Sequence, residues 1–315
     1  MDAKITKKRL SQMLSYDWMK IVLVAAAVIL VWTLVFTTTA TRIIPSQSFG
    51  IFNYCGTTVT TRFSDYPTST KDIFSYEVIE KSSQDVTTGG EEYALQIMEA
   101  RLTTDEADVL FAADIEGGYL QYTVDGETKN TTYLEDFLYR FYRYAYRLDG
   151  ENGFLAQMKT YLDGYYGGDY HNAEALNEEK IEADFRARIK KNKDKRYKKE
   201  AQIAAAVPQE IERIQSYLAA YKQFFAYVAN GDIQFVFTEQ QLSDTVTLRG
   251  VYGINICPDE TKLSGLKESV YYVDFDGKTT AQNMMATFLN LEKLDKNYQY
   301  ENLIYLNALI ADAKA

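Results

Sequence analysis

The chain has 315 residues, of which 46% are hydrophobic and 25% charged, with only four prolines. That balance excludes a disordered or low-complexity chain and leaves enough apolar residues for a sizeable core. The formal net charge of −10 disfavours a chain that coats nucleic acid or an anionic surface through bulk charge.

Residues 21–36 (IVLVAAAVILVWTLVF) carry no charge, and residues 37–41 extend the run without adding one. About 20 such residues are enough to cross a bilayer as a helix. Lys4, Lys7, Lys8, Arg9 and Lys20 precede the run, against Asp2 and Asp17; the first basic residue after it is Arg42. The positive-inside rule predicts residues 1–20 as a cytoplasmic tail, residues 21–41 as a span in the lipid bilayer, and residues 46–315 as an extracytoplasmic domain of a single-pass cell-membrane protein. A cleaved signal peptide is the competing reading, through Thr38, Thr39 and Ala40. The length of the run and the interfacial aromatics Tyr16, Trp18 and Trp32 favour a retained anchor.

Setting aside the five basic and two acidic residues before position 21 leaves 29 basic and 42 acidic, a net of −13 outside. No nucleic-acid partner is expected for such a domain. Residues 180–199 (KIEADFRARIKKNKDKRYKK) run against this, with ten basic and three acidic residues. Lys190, Lys191, Lys193, Lys195, Arg196, Lys198 and Lys199 are candidate partner-binding residues, facing an anionic cell-surface polymer, lipid headgroups or an acidic protein. The plainer reading is a solvated helix. Cys55 and Cys257 both fall outside, where a disulfide persists; a bridge and two separately buried thiols are equally compatible with the sequence.

Along the chain, residues 49–60 and 72–80 have strand composition, the second alternating apolar with polar. Residues 91–102 (EEYALQIMEARL) predict a helix, and residues 109–113 (VLFAA) a short, fully apolar strand. Strand, helix and strand predict a βαβ unit with a parallel pair. Residues 119–132 read as a hairpin turning at Asp125-Gly126. Thr132 and Glu135 form a capping box, opening a helix expected over 133–148 with Leu134, Phe137, Leu138, Phe141, Ala145 and Leu148 on its core face. Tyr139, Tyr142 and Tyr146 flank that face and are candidates for stacking on a small solute.

Residues 152–230 look helical almost throughout, with breaks at 164–172 and at Pro208. Strands are expected at 233–238, 245–256 and 270–275. Thr279 and Gln282 predict a second capping box and a helix to about 291, and a terminal helix follows at 300–313. The fold class is α/β, helix-rich in the middle.

Motifs for chemistry are sparse. His171 is the only histidine and lies in a glycine-rich loop, without the partner that a triad or most zinc sites need. Residues 274–280 (DGKTT preceded by DF) fit neither an EF-hand nor a phosphate loop. No catalytic residue, metal ligand or cofactor is assigned, and enzyme activity is not expected.

The stretches SYDWMK (15–20), EEYALQIMEARLTTDEADVLFAAD (91–114), YLEDFL (133–138) and VYGINI (251–256) resemble membrane-anchored relatives of bacterial extracellular solute-binding proteins of Gram-positive organisms. The resemblance implies a type 2 periplasmic-binding-protein-like α/β domain that binds a small solute beside a transporter or sensor. An envelope scaffolding protein, contacting another protein through residues 180–199, is the alternative.

Overall fold

A computed structural model describes residues 7, 8, 11, 15, 18–39, 48–54, 57–59, 80–85, 92–104, 106–124, 127–192, 194, 196–243, 245–274, 276–289 and 300–314. Two units are distinct, residues 1–44 and 45–315.

In the first unit, Trp18–Thr39 form helix α1. Its 22 residues extend about 33 Å, enough for a hydrocarbon core of about 30 Å. The stretch Trp18–Thr37 has mean hydropathy 2.6 and none of it is buried. Thr33 and Thr37 each donate to the carbonyl four residues earlier, at 2.8 Å. Such back-bonding removes free hydroxyls from an apolar surrounding. The chain thus has an N-terminal helix long and apolar enough to cross a membrane.

The second unit is a mixed α/β domain around a six-stranded sheet. Its strands are β1 (Ser48–Asn53), β3 (Glu80–Asp85), β4 (Val109–Ala113), β7 (Gln234–Ser243), β8 (Val246–Asn255) and β11 (Met284–Phe288). They lie in the order β3-β1-β4-β11-β8-β7. β1 is parallel to both β3 and β4, whereas β11 is antiparallel to β4 and to β8. β4 and β8 therefore point the same way. The short strands β2 (Thr58–Val59), β9 (Val270–Val273) and β10 (Thr279–Thr280) make a second sheet, and β5 (Glu116–Val124) with β6 (Glu127–Thr132) a separate hairpin.

Alternate residues of the central strands enter two cores. Phe49, Ile51, Val109, Phe111 and Ala113 pack on one face with α4 (Phe154–Tyr165), α6 (Glu200–Ala229) and α7 (Glu301–Lys314). Phe52, Leu110 and Ala112 pack on the other with α2 (Glu92–Thr103) and α3 (Tyr133–Phe141). Helices on both faces explain why β4 is buried along its whole length, as parallel strands in α/β folds are. Gly50 allows the loop before β4 to come close: a Cβ there would lie 2.0 Å from the Glu106 carbonyl oxygen. Its N–H donates to the Asp108 carboxylate at 2.7 Å.

The β-α-β unit is present, with one difference. β3, α2 and β4 are consecutive, but β1 lies between the two strands and pairs with both. The strand found, Glu80–Asp85, shares only Glu80 with the strand expected over 72–80, and residues 72–79 lie outside the described residues. The hairpin strands pair as expected, Val124 opposing Glu127; the turn residues Asp125 and Gly126 lie outside the described residues. The capping box at α3 is also present, with Thr132 N–H to Glu135 Oε2 at 3.0 Å and Glu135 N–H to Thr132 Oγ1 at 3.3 Å.

Three elements depart from the sequence reading. The helix expected over 133–148 ends at Phe141, passes through a 3-10 turn, and becomes extended at Ala145. There Tyr146 N–H donates to Phe288 O and Leu148 N–H to Val251 O, so hydrogen bonds to the sheet replace further helical turns. The helix expected from 279 to 291 is instead β10 and β11. Burial of Met284–Phe288 on both faces overrides the helix propensity of Met and Ala. Pro208, finally, does not break α6, which runs 30 residues through it. Pro208 and Ala204 are both exposed, so water can serve the carbonyl that lacks its helical N–H.

The middle of the chain is helix-rich as expected: α4, α5 (Glu178–Asn192) and α6 follow one another. Ile181, Phe185 and Ile189 are the buried stripe of α5. Phe185 and Ile189 form a small core with Ala206, flanked by Tyr197, Ile203 and Val207.

Candidate functional site

Strand polarity places one end of the sheet apart from the rest. β1, β3, β4 and β8 all finish at the same edge, and chain order reverses there: the path goes from β1 out to β3, then back across β1 to β4. In open α/β sheets such a switch point leaves a crevice outside the carboxyl ends of the strands.

Tyr54 and Asp114 are the residues that follow β1 and β4 at this edge. The Tyr54 hydroxyl donates to Asp136 Oδ2 at 2.6 Å. Asp136 also accepts from Arg140 Nε at 3.1 Å, so this fully buried carboxylate has both a hydrogen bond and a countercharge. Asp114 is different. It is half-buried, and its pKa is raised by burial, an effect that the nearby Thr132 hydroxyl opposes and Glu135 adds to. Among the described residues no ion pair is present at Asp114. A carboxyl in this state accepts hydrogen bonds readily from a hydroxyl or an ammonium group.

Asn283 lies next to it at the start of β11. Its carbonyl accepts the Asp114 N–H at 2.9 Å, and its side-chain oxygen accepts from Asn255 Nδ2 at 3.1 Å. With φ of 55°, Asn283 is the one non-glycine residue in the left-handed region among those described. Asparagine tolerates that conformation better than most residues, and such strain gathers at functional sites. Asn255, at the end of β8, accepts from Cys257 N–H at 3.0 Å. Tyr272 donates to the Gln282 carbonyl at 2.6 Å, and Gln282 reaches Pro258 O at 2.8 Å. The rim is therefore polar and supplied by five strands, β1, β4, β8, β9 and β11.

The rim has no nucleophile paired with a base among the described residues. Cys257 is a free thiol, fully buried, and burial pushes its pKa up to about 12, so it stays protonated. Cys55, its proposed disulfide partner, lies outside the described residues. No group of three or more potential metal ligands is present among those described. His171 is exposed, with its ring 4.1 Å from that of Tyr170.

Sequence-predicted site residues fall elsewhere. Tyr139 and Tyr142 are on the outside of α3 and the turn after it, at 39% and 40% exposure. Tyr146 is in the extended segment, half-buried edge-on against Phe154 at 5.4 Å, and donates to Gln157 at 2.8 Å. No single helical stripe carries all three.

No family model, curated protein or solved structure matches this chain.

In the basic segment the arginines and lysines have separate fates. Arg186 pairs with Glu182 and Glu200, Arg188 with Glu210, and Arg196 with Asp194. Lys190, Lys191, Lys198 and Lys199 are exposed; Lys193 and Lys195 lie outside the described residues. Sequence reading missed Asp114, Asn283 and the Tyr54–Asp136 pair. The available signal was a polar residue ending an apolar parallel strand, the Asp of VLFAAD.

Proposed function

We propose that this chain is a membrane-anchored, extracytoplasmic solute-binding-like module, held by α1 with residues 1–20 in the cytoplasm. Its α/β domain would be of the type 2 periplasmic-binding-protein kind, working beside a transporter or sensor in a bacterial envelope. The observation that carries the reading is the polar rim at the strand-order switch point, where the half-buried Asp114 has no ion pair among the described residues. Carboxylate, hydroxyl and amide acceptors suit a small solute rich in hydroxyl or ammonium donors and repel an anionic one. The excess of basic residues before α1 supports the orientation.

The test is a thermal-shift screen of the full chain in detergent against neutral sugars, polyamines, amino acids and short peptides. A true ligand at about 100 times its Kd should raise the melting temperature by roughly 5 °C. Asp114→Asn should abolish that shift. No movement across the panel would overturn the reading.

A further inference from the structure

The turn between α5 and α6 presents lysines on a folded support. Residues 190–199 hold seven basic residues and one acidic one. That single carboxylate, Asp194, is taken by Arg196 through contacts of 3.1 Å to Nε and 2.6 Å to Nη2. Arg186 and Arg188 are likewise held by Glu200 and Glu210. Arg186, Arg188 and Arg196 thus occupy Glu182, Glu200, Glu210 and Asp194, while Lys180 pairs with Asp184. Lys190, Lys191, Lys198 and Lys199 are exposed, with no ion pair among the described residues.

The support is ordered by its own contacts. The Phe185 and Tyr197 rings meet edge-on at 5.3 Å over the small core between α5 and α6. Asp194 N–H donates to Ile189 O, and Tyr197 N–H to Asp194 O. The N–H groups of Lys198 and Lys199 both donate to Gln202 Oε1, at 3.0 and 2.9 Å. A solubilising tail has no need of such bracing.

We infer that this lysine turn docks the domain on the anionic phospholipid surface of the membrane that α1 crosses. Lysines are compact point charges suited to a diffuse field, whereas bidentate recognition of a defined anion uses arginine; here the arginines are engaged inside the protein. Eight residues separate Thr39 from Ser48, at most about 30 Å of extended chain, so the domain is tethered to that membrane. The domain outside residues 180–199 carries a net charge of −20, from the −13 total and the segment's +7. A negative surface attracts the turn and repels the rest, which orients the domain. The inference rests on α1 being a retained span; resistance of the full chain to extraction from membranes at alkaline pH tests that separately.

The full chain is reconstituted in nanodiscs of phosphatidylcholine alone or with about 30% phosphatidylglycerol, and lysines are briefly acylated and read by mass spectrometry. Lys190, Lys191, Lys198 and Lys199 should react at least about threefold more slowly in the anionic discs, since an anionic surface holds nearby ammonium groups charged and covered. The exposed residues Lys222 and Lys262 should react alike in both. About 0.5 M salt should remove the protection by screening. Equal rates in the two discs, or equal protection in both, would overturn the proposal; the first is also the outcome expected if an acidic protein is the partner. In the variant K190E/K191E/K198E/K199E, Lys193 and Lys195 should react at the same rate in both discs.

Discussion

Glu210 and Arg213, three residues apart on α6, are bound side by side in the interior, Arg213 Nε donating to Glu210 Oε2 at 3.0 Å. Arg213 is fully buried. Arg188 reaches the same carboxylate at 2.9 Å from α5, and the Tyr161 hydroxyl accepts from Arg213 at 2.9 Å from α4. One carboxylate therefore bridges two guanidinium groups and helps tie three helices together. Burial by itself would raise the Glu210 pKa, but Arg213 and Arg188 overcome it and hold the carboxyl below its ordinary value. Glu210→Gln leaves two cations without a counterion and should cost about 3–5 kcal/mol, the usual cost of breaking a buried pair from one side. Chemical denaturation of the full chain in detergent measures it. Because the folded pKa is depressed, this stabilisation is present above the unfolded value of about 4.3 and is lost as pH falls through the folded one. The gap between wild type and Glu210→Gln should therefore narrow in acid.

Asp114 has the opposite sign. Its folded pKa is raised, so its favourable contribution is fully present below the unfolded value of about 3.9 and is lost as pH rises through the folded value. At neutral pH the ionised group weakens the fold. Asp114→Asn should raise the melting temperature at pH 7 by roughly 2 °C and give no gain near pH 3.5. A melting temperature lowered at pH 7 would contradict this account of its surroundings.

Much of this architecture is legible in the sequence, and the exceptions share a cause. Thr132 with Glu135, VLFAA, and the Ile181, Phe185 and Ile189 stripe are local signals, fixed by capping chemistry, length and period. Met284–Phe288 has no such signal, because a strand buried on both faces shows no alternation and its partners β4 and β8 are distant in sequence. The turn away from helix after Phe141 likewise depends on Phe288 and Val251 offering carbonyls. The rim was hidden for the same reason: the β5–β6 hairpin sets Thr132 near Asp114, but only strand order brings Asn283 and Asn255 to them.

The tyrosines of residues 133–150 divide by position. Tyr146→Phe removes a hydroxyl that donates to Gln157 and should cost about 1 kcal/mol, the typical net value of one such bond. Tyr139→Ala and Tyr142→Ala alter side chains that are well exposed and should each stay within about 0.5 kcal/mol. Equal losses at all three positions in urea denaturation would refute the broken-helix description.

Cys257 supplies a direct test of the interior. Its thiol is fully buried beside the end of β8, and burial, aided by Glu260 and Asp259, pushes its pKa up to about 12. The thiolate is the reactive species, so both access and ionisation are denied in the native state. In a Cys55→Ser variant, where Cys257 is the sole remaining cysteine, an aromatic disulfide reagent at pH 8 should release no chromophore until denaturant is added, and then one equivalent. Rapid release from the folded variant would mean that the carboxyl edge of the sheet opens to solvent around β8, and the rim would then have to be a far looser structure than its hydrogen bonds at Asn255 and Asn283 imply.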